Sequence, residues 1–324
     1  MDRSQSFFYR ALRRLLATLA GAVLATVPVA AAEASAVEPL PLVEVAPGVH
    51  VHYGIHEPWS AHNANNVANL GVVVGSRCVA VIDTGGSPAL GERLRAAVSR
   101  LTSVPVCYVV NTHVHPDHVL GNSAFAGEPV PVQFVGHARL AQSLSARAPY
   151  YLEAFRRESG TALPSEAVVY PTRGVDDTLE IDLGERKLRL QAWPTAHTDN
   201  DLTVYDESSG TLFTGDLLFI KHLPVIDGSL RGWLKVIAAL KKVNVKLAVP
   251  GHGKAAADLR QAIAPQEAYL ETVLRETKAA IAAGLPIQRA LERSGSTATD
   301  GWQLVEAFHR RNLTAAYAEL EWDD

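Results

Sequence analysis

The chain has 324 residues, 48% of them hydrophobic and 20% charged, with a formal net charge of −4. That length allows a large core in one domain or two, and the composition is that of an ordinary globular protein rather than a disordered or fibrous one. The slight acidity excludes any bulk electrostatic attraction to nucleic acid or to an anionic membrane surface.

In chain order, Arg3, Arg10, Arg13 and Arg14 come first, then a nearly pure apolar run over 15–32, then the small residues Ala32, Ala34 and Ala36. This layout predicts a secretory signal peptide over residues 1–36 and a periplasmic or secreted mature chain. The alternative is an uncleaved anchor, which the short apolar run disfavours. Arg13-Arg14 is only a weak twin-arginine match, because Leu12 stands where a small polar residue is usual. No later stretch is long and apolar enough to predict a membrane span.

Residues 37–47, rich in Val, Pro and Glu, read as a linker. Strands are predicted at 49–53, 70–74 and 78–82, with Gly75-Ser76-Arg77 turning the last two into a hairpin. A helix at 89–101 and a buried strand at 106–110 complete a βαβ unit, and ligands commonly collect beyond the carboxyl ends of such strands. A strand at 132–135, a helix at 138–146 and a polar, aromatic insertion at 149–166 follow. Hairpin strands are predicted at 179–182, 187–192, 202–205 and 211–213, then a helix at 232–242, a strand at 246–249 and three helical segments to the end. Strands and helices in this mixture suggest two mixed sheets packed together with helices outside. Residues 48–260 read as one domain, with the helices of 261–324 packed on it. Cys78 lies five residues before Asp83, and Cys107 five before Thr112. Two buried thiols are the expectation, with a disulfide as the alternative if the two strands are parallel neighbours.

Thr112-His113-Val114-His115-Pro116-Asp117-His118 concentrates three imidazoles and a carboxylate in six residues. These are the ligands of zinc and similar borderline cations. In an extended segment His113 and His115 project to one side, and Pro116 keeps His115 out of the α region. Three further segments each put one candidate ligand at the end of a strand: Thr195-Ala196-His197-Thr198, Thr214-Gly215-Asp216 and Pro250-Gly251-His252-Gly253. Singly each reads as an ordinary loop residue. Together they can converge at one end of a pair of sheets.

With Asp83 ahead of them, His113-His115-Asp117-His118, His197, Asp216 and His252 resemble, in order, the motifs of the metallo-β-lactamase superfamily. The resemblance implies an α/β fold, a four-layer αββα sandwich of two mixed β-sheets, over about residues 49–255. It implies that His113, His115 and His197 hold one metal, that Asp117, His118 and His252 hold another, and that Asp216 bridges them, with Asp83 orienting the ligands. The implied cofactor is Zn²⁺, two per chain, with iron or manganese as alternatives. The implied activity is hydrolysis by a metal-bridging hydroxide whose proton Asp117 handles.

Within the superfamily, Asp216 argues against the zinc β-lactamases with cysteine at that position, and His115 against the diiron flavoproteins with an acidic residue there. No nuclease-type insertion separates Asp216 from His252. The phrases His115-Pro116-Asp117-His118-Val119-Leu120-Gly121-Asn122, Ala196-His197-Thr198-Asp199-Asn200-Asp201-Leu202, Gly215-Asp216-Leu217-Leu218-Phe219 and Asp227-Gly228-Ser229-Leu230 resemble the periplasmic zinc metallohydrolases of quinoprotein relay systems, relatives of a thiosulfate-oxidation accessory hydrolase. The resulting expectation is an exported hydrolase of a small-molecule ester, thioester or amide-like bond. The alternatives are an iron-dependent oxidoreductase of persulfide-dioxygenase type, a β-lactamase, and a non-catalytic metal-handling protein. The expected partner is a small-molecule substrate, not nucleic acid. His56, His62, Asn66 and His222 are candidate substrate contacts, each of which reads equally as part of a solvated polar loop.

Overall fold

The computed structural model describes residues 37–127, 130–293 and 299–322, and the predicted signal peptide lies outside them. Seven strands form the first sheet: β1 (Val43–Ala46), β2 (Val49–His52), β3 (Leu70–Val74), β4 (Val79–Ile82), β5 (Val106–Val110), β6 (Gln133–His137) and β7 (Arg173–Val175), in that spatial order. Pairing is antiparallel from β1 to β4 and parallel from β4 to β7. The second sheet runs β12-β11-β10-β9-β8, from β8 (Thr178–Asp182), β9 (Lys187–Ala192), β10 (Leu202–Asp206), β11 (Thr211–Phe219) and β12 (Leu247–His252), with only β11 and β12 parallel.

Alternation along the strands explains the layering. Leu70, Val72, Val79 and Val81 face helix α1 (Pro88–Leu101) through Leu90, Leu94 and Val98. Their neighbours Val73, Ala80 and Ile82 point the other way and meet Leu188, Leu190, Val204 and Phe213 of the second sheet. Beyond that sheet, Leu212 and Ala248 pack on α4 (Leu230–Leu240) and α5 (Leu259–Ala282), with Trp233, Ile237, Ile263 and Leu270 in the contact. The order is helix, sheet, sheet, helix. The short α2 (Pro116–Val119) and α3 (Leu140–Ser159) share an apolar cluster with Val114 and Leu120, and α6 (Ile287–Arg293) and α7 (Val305–Leu320) end the chain. Among the described residues no helix is long and apolar enough to cross a membrane.

Several expectations change. Part of the supposed linker is strand β1, whose Val43 and Glu44 stand opposite Val51 and His50 and close the sheet edge. The insertion at 149–166 is largely the second half of α3, which runs through Pro149 to Ser159. Leu144, Ala148, Tyr151 and Phe155 form one buried stripe at helical spacing, enough to carry the helix across the single backbone bond that proline forfeits. The thiols are not free: β4 and β5 are parallel neighbours, and Cys78 is bonded to Cys107.

The sheets are also tied by charge. Arg186, in the β8–β9 turn, pairs with buried Asp206 at 2.6 Å and donates to the Val74 carbonyl (3.0 Å) and the Pro47 carbonyl (2.9 Å) of the other sheet. Burial works against the Asp206 charge, but the hydrogen bonds from Arg186 and Ser209 outweigh it and lower the carboxyl pKa. A carboxyl so lowered adds stability at neutral pH that is lost as acid protonates it below about pH 4. Arg186→Met is therefore expected to cost about 3–5 kcal/mol in urea unfolding at pH 7, because Asp206 is left buried and unpaired. The gap from wild type should narrow as pH falls toward 3; a gap that widens would contradict this.

Candidate metal centre

Every element carrying a candidate ligand ends at one rim of the sandwich. β5 leads into Asn111-Thr112-His113, β4 into Asp83, the β9–β10 connection carries His197, and β11 and β12 carry Asp216 and His252. Hydrogen bonds lock the two sheets together there. Leu202 N–H donates to the Thr112 carbonyl (2.8 Å), Asn69 N–H to that of Gly251 (2.7 Å), and the Asn69 carboxamide to Pro250 (2.9 Å) and Gly253 (2.7 Å). Asp216 was expected just beyond a strand but sits inside β11, where the β11–β12 register shifts twice between Phe213 and Phe219. Such irregularities re-aim a side chain, here toward the imidazoles.

The outer ring nitrogens fix the direction of the inner ones. Thr112 Oγ1 donates to Asp83 Oδ2 (2.7 Å), so it accepts from His113 Nδ1 (3.1 Å). His115 Nε2 donates to Asp227 Oδ2 (2.9 Å), and His197 Nδ1 donates to the Val225 carbonyl (2.7 Å). The remaining nitrogens, His113 Nε2, His115 Nδ1 and His197 Nε2, are then all lone pairs. They converge with separations from His115 of 3.1 and 3.0 Å. Three lone pairs at that range repel unless a cation lies among them, and this donor set fits one.

The second half is built the same way. His118 Nδ1 donates to Asp83 Oδ2 (2.8 Å) and His252 Nδ1 to the Val67 carbonyl (2.9 Å). Their Nε2 atoms both lie 3.5 Å from Asp117 Oδ2. Asp216 stands between the halves, with Oδ2 3.7 Å from His113, 3.4 Å from His197 and 3.4 Å from His252, and Oδ1 3.3 Å from His118. His118 Nε2 and Asp216 Oδ1 are buried with no hydrogen-bond partner. The ligand atoms of His113, His115, His197 and Asp216, and those of Asp117, His118 and His252, form two sets, each within 4.8 Å, and each can hold an ion.

Without metal the charge is unevenly shared. Burial, helped by the neighbouring imidazoles, holds His113 well below its ordinary value, and burial takes His197 down to about 3. Burial opposes charge on His118 and His252 too, but the facing carboxylates, Asp216 foremost, prevail and raise both. Asp216 is itself held well below the carboxylate range: burial opposes its charge, and His252, His118 and His113 overcome it.

The predicted ligands and Asp83 are thus brought together. Of the candidate substrate contacts, His222 is buried against His252, with ring centroids 4.6 Å apart, and His56 lies edge-on to His222 at 5.6 Å while hydrogen-bonding Gln303. Asn66 turns its carboxamide to His52 Nε2 (2.8 Å), engaged by β2 rather than offered to a ligand. His62 is exposed, and among the described residues no hydrogen bond or ring contact joins it to the cluster. Asp227, present in the sequence analysis only within the phrase Asp227-Gly228-Ser229-Leu230, anchors His115 and takes hydrogen bonds from Arg147 and Arg311. In sequence Asp227-Gly228 looks like a turn. The carbonyls of Val67 and Val225 carry no sequence signal at all.

Gly251 shows how tightly the site is closed: a Cβ there would overlap Asp216 Oδ1. Gly251→Ala is expected to push that carboxylate aside and to weaken metal binding by roughly 10–100-fold, measured by competition with a chromogenic chelator. Unchanged affinity would show that Asp216 does not need this position.

Residues 65–252 match the family model of the metallo-beta-lactamase superfamily. Among solved structures the fold is similar to a metallo-beta-lactamase from Pontibacter korlensis, at 19% identity and a TM-score of 0.58, covering 72% of this chain and 99% of that one. It is also similar to a metallo-beta-lactamase family protein from Thermus thermophilus, at 21% identity and a TM-score of 0.61, covering 85% and 93%. A third is the stereoselective inverting sec-alkylsulfatase Pisa1 from Pseudomonas sp., at 16% identity and a TM-score of 0.67, covering 87% of this chain but only 50% of that one. No curated protein matches the sequence. The family match covers more than half of the chain and contains both candidate metal-binding sets, and the chain belongs to the metallo-β-lactamase superfamily.

Proposed function

We propose that the protein is an exported, dinuclear zinc-dependent hydrolase acting on an ester, thioester or amide-like bond of a small molecule, in a quinoprotein-linked periplasmic pathway. One observation carries the hydrolase reading: two inward-facing ligand sets share Asp216, with every outer imidazole nitrogen already committed to an oxygen. The mixed imidazole and carboxylate donors suit zinc. Two such cations supply Lewis acidity and bring the pKa of water down from 15.7 to about 7.

The chain's own residues do the rest. Asp227 and the Val225 carbonyl keep His115 and His197 in one tautomer and one orientation. Asp83 does this for His118 directly and for His113 through Thr112. Asp117 uses Oδ2 toward His118 and His252, leaving Oδ1 to orient the attacking water and take its proton. Export is supported by the N-terminal layout, and the Cys78–Cys107 bond suits an oxidising compartment.

The test combines metal analysis with a panel of thioesters, esters, amides, β-lactams and, given one structural neighbour, a secondary alkyl sulfate. We expect about two zinc ions per chain and at least one metal-dependent turnover. The double variant His113→Ala, His115→Ala should lose one metal and all turnover. Unchanged metal content in that variant, or bound metal with no turnover across the panel, would sink the proposal.

A further inference from the structure

We propose that helix α7 aims the imidazoles of the first metal set, through Asn312 and the irregular segment that Asn312 clasps. This rests on the dinuclear reading above and assigns work to residues beyond the 65–252 family match. Residues 223–226 are buried yet belong to no helix or strand. Backbone groups in such a segment need partners from elsewhere.

Asn312 supplies them. Its Nδ2 donates to the Pro224 carbonyl (2.6 Å) and its Oδ1 accepts from Ile226 N–H (2.9 Å), so one fully buried carboxamide brackets Val225 as a neighbouring strand would. The bracketed residue provides the carbonyl that takes His197 Nδ1–H at 2.7 Å. The next residue after the bracket is Asp227, whose N–H donates to the His197 carbonyl (3.0 Å) and whose carboxylate takes His115 Nε2–H (2.9 Å). Arg311, beside Asn312 on α7, donates to the other Asp227 oxygen at 3.3 Å. Upstream, Leu223 N–H donates to the Gln303 carbonyl just before α7 (3.0 Å). Two of the three imidazoles in the first set are therefore aimed by a segment that α7 and its lead-in hold.

Asn312 is itself fixed from behind, since its Nδ2 also donates to the Tyr269 hydroxyl of α5 (2.9 Å), which contacts His309 (3.1 Å). That gives the test its control. Asn312→Leu keeps the side-chain volume but can neither donate nor accept. Tyr269→Phe removes a buried hydrogen bond on the far side of Asn312 and leaves the bracket in place. Metal–ligand distances tolerate only about 0.2 Å, so loosening the bracket should register at the metal before it registers in the fold.

Cobalt(II) titration of the full chain reads the two sets separately, with His115→Ala marking which binding step belongs to the first. Wild type should bind two ions. Asn312→Leu should weaken the first-set step by about tenfold, alter its visible spectrum and speed solvent exchange of the His197 ring N–H. The other step should stay unchanged. Tyr269→Phe should keep wild-type affinity and spectrum even if its Tm falls as far. Wild-type-like cobalt binding in Asn312→Leu would overturn the inference, as would metal loss that tracks Tm equally in both variants. Should Asn312→Leu fail to fold, Asn312→Asp keeps the acceptor for Ile226 and drops the donor to Pro224. An intermediate loss supports the inference and none overturns it. A wild type that binds fewer than two ions would instead defeat the dinuclear reading, and this inference with it.

Discussion

Asp216→Asn is expected to lower bound metal from two ions to one or fewer and activity by on the order of 10³-fold. Among the described residues Asp216 is the one carboxylate within 4 Å of imidazoles from both sets, at 3.7 and 3.4 Å on one side and 3.4 and 3.3 Å on the other. Two divalent cations bring four positive charges into a buried space whose ligand carboxylates are Asp117 and Asp216. Removing one of these carboxylates halves the compensating charge where the dielectric is low and Coulomb terms are large. The metal-free protein should respond too. There His252, His118 and His113 overcome burial and keep Asp216 ionised, so losing its charge should lower the metal-free Tm at neutral pH. The signature is thus a lower starting Tm together with a lost rise in Tm on adding zinc. Two zinc ions in the purified variant, by mass spectrometry under native conditions, would refute the bridging role.

The candidate ligands His113 and His252 were legible because each ends an apolar strand run, and such runs survive in the sequence as patterns, whereas Asp216 lies inside β11. Residues 70–74, 106–110 and 187–192 were readable to the residue for this reason. What was not legible depends on partners distant in sequence. Strand β7 is three residues, Arg-Gly-Val, and exists only because β6 lies beside it. Asp227 becomes a ligand anchor only once a connection 112 residues earlier delivers His115 to it. The disulfide required knowing that β4 and β5 are parallel neighbours, with a register shift between Val79 and Ala80 beside Cys107. Helix α3 outruns the predicted 138–146 because its buried stripe continues through Pro149 to Phe155, packed on residues distant in sequence. Asn66 and His62 looked alike as loop polar groups, and only β2 decides that one is engaged by His52 while the other faces solvent.

Asp117→Asn should separate metal binding from chemistry. Its Oδ2 lies 3.5 Å from both His118 and His252, and an asparagine carbonyl oxygen can occupy the same place at reduced charge. Asp117 is also the less buried of the two ligand carboxylates, at 16% side-chain exposure against 4% for Asp216. Solvent screening therefore makes its charge the cheaper one to lose for ion retention, and bound zinc should fall by less than it does in Asp216→Asn. Turnover should fall much further than occupancy. Asparagine cannot accept a proton from the attacking water, and a positioned general base contributes about 10²–10⁴-fold. An interaction made only on the way to the transition state lowers kcat and kcat/KM together and leaves KM in place. The variant, assayed at saturating zinc, should accordingly show near wild-type KM with kcat reduced at least about a hundredfold. If added zinc restored kcat in full, Asp117 would be a ligand and nothing more, and the proton would have to leave by another group.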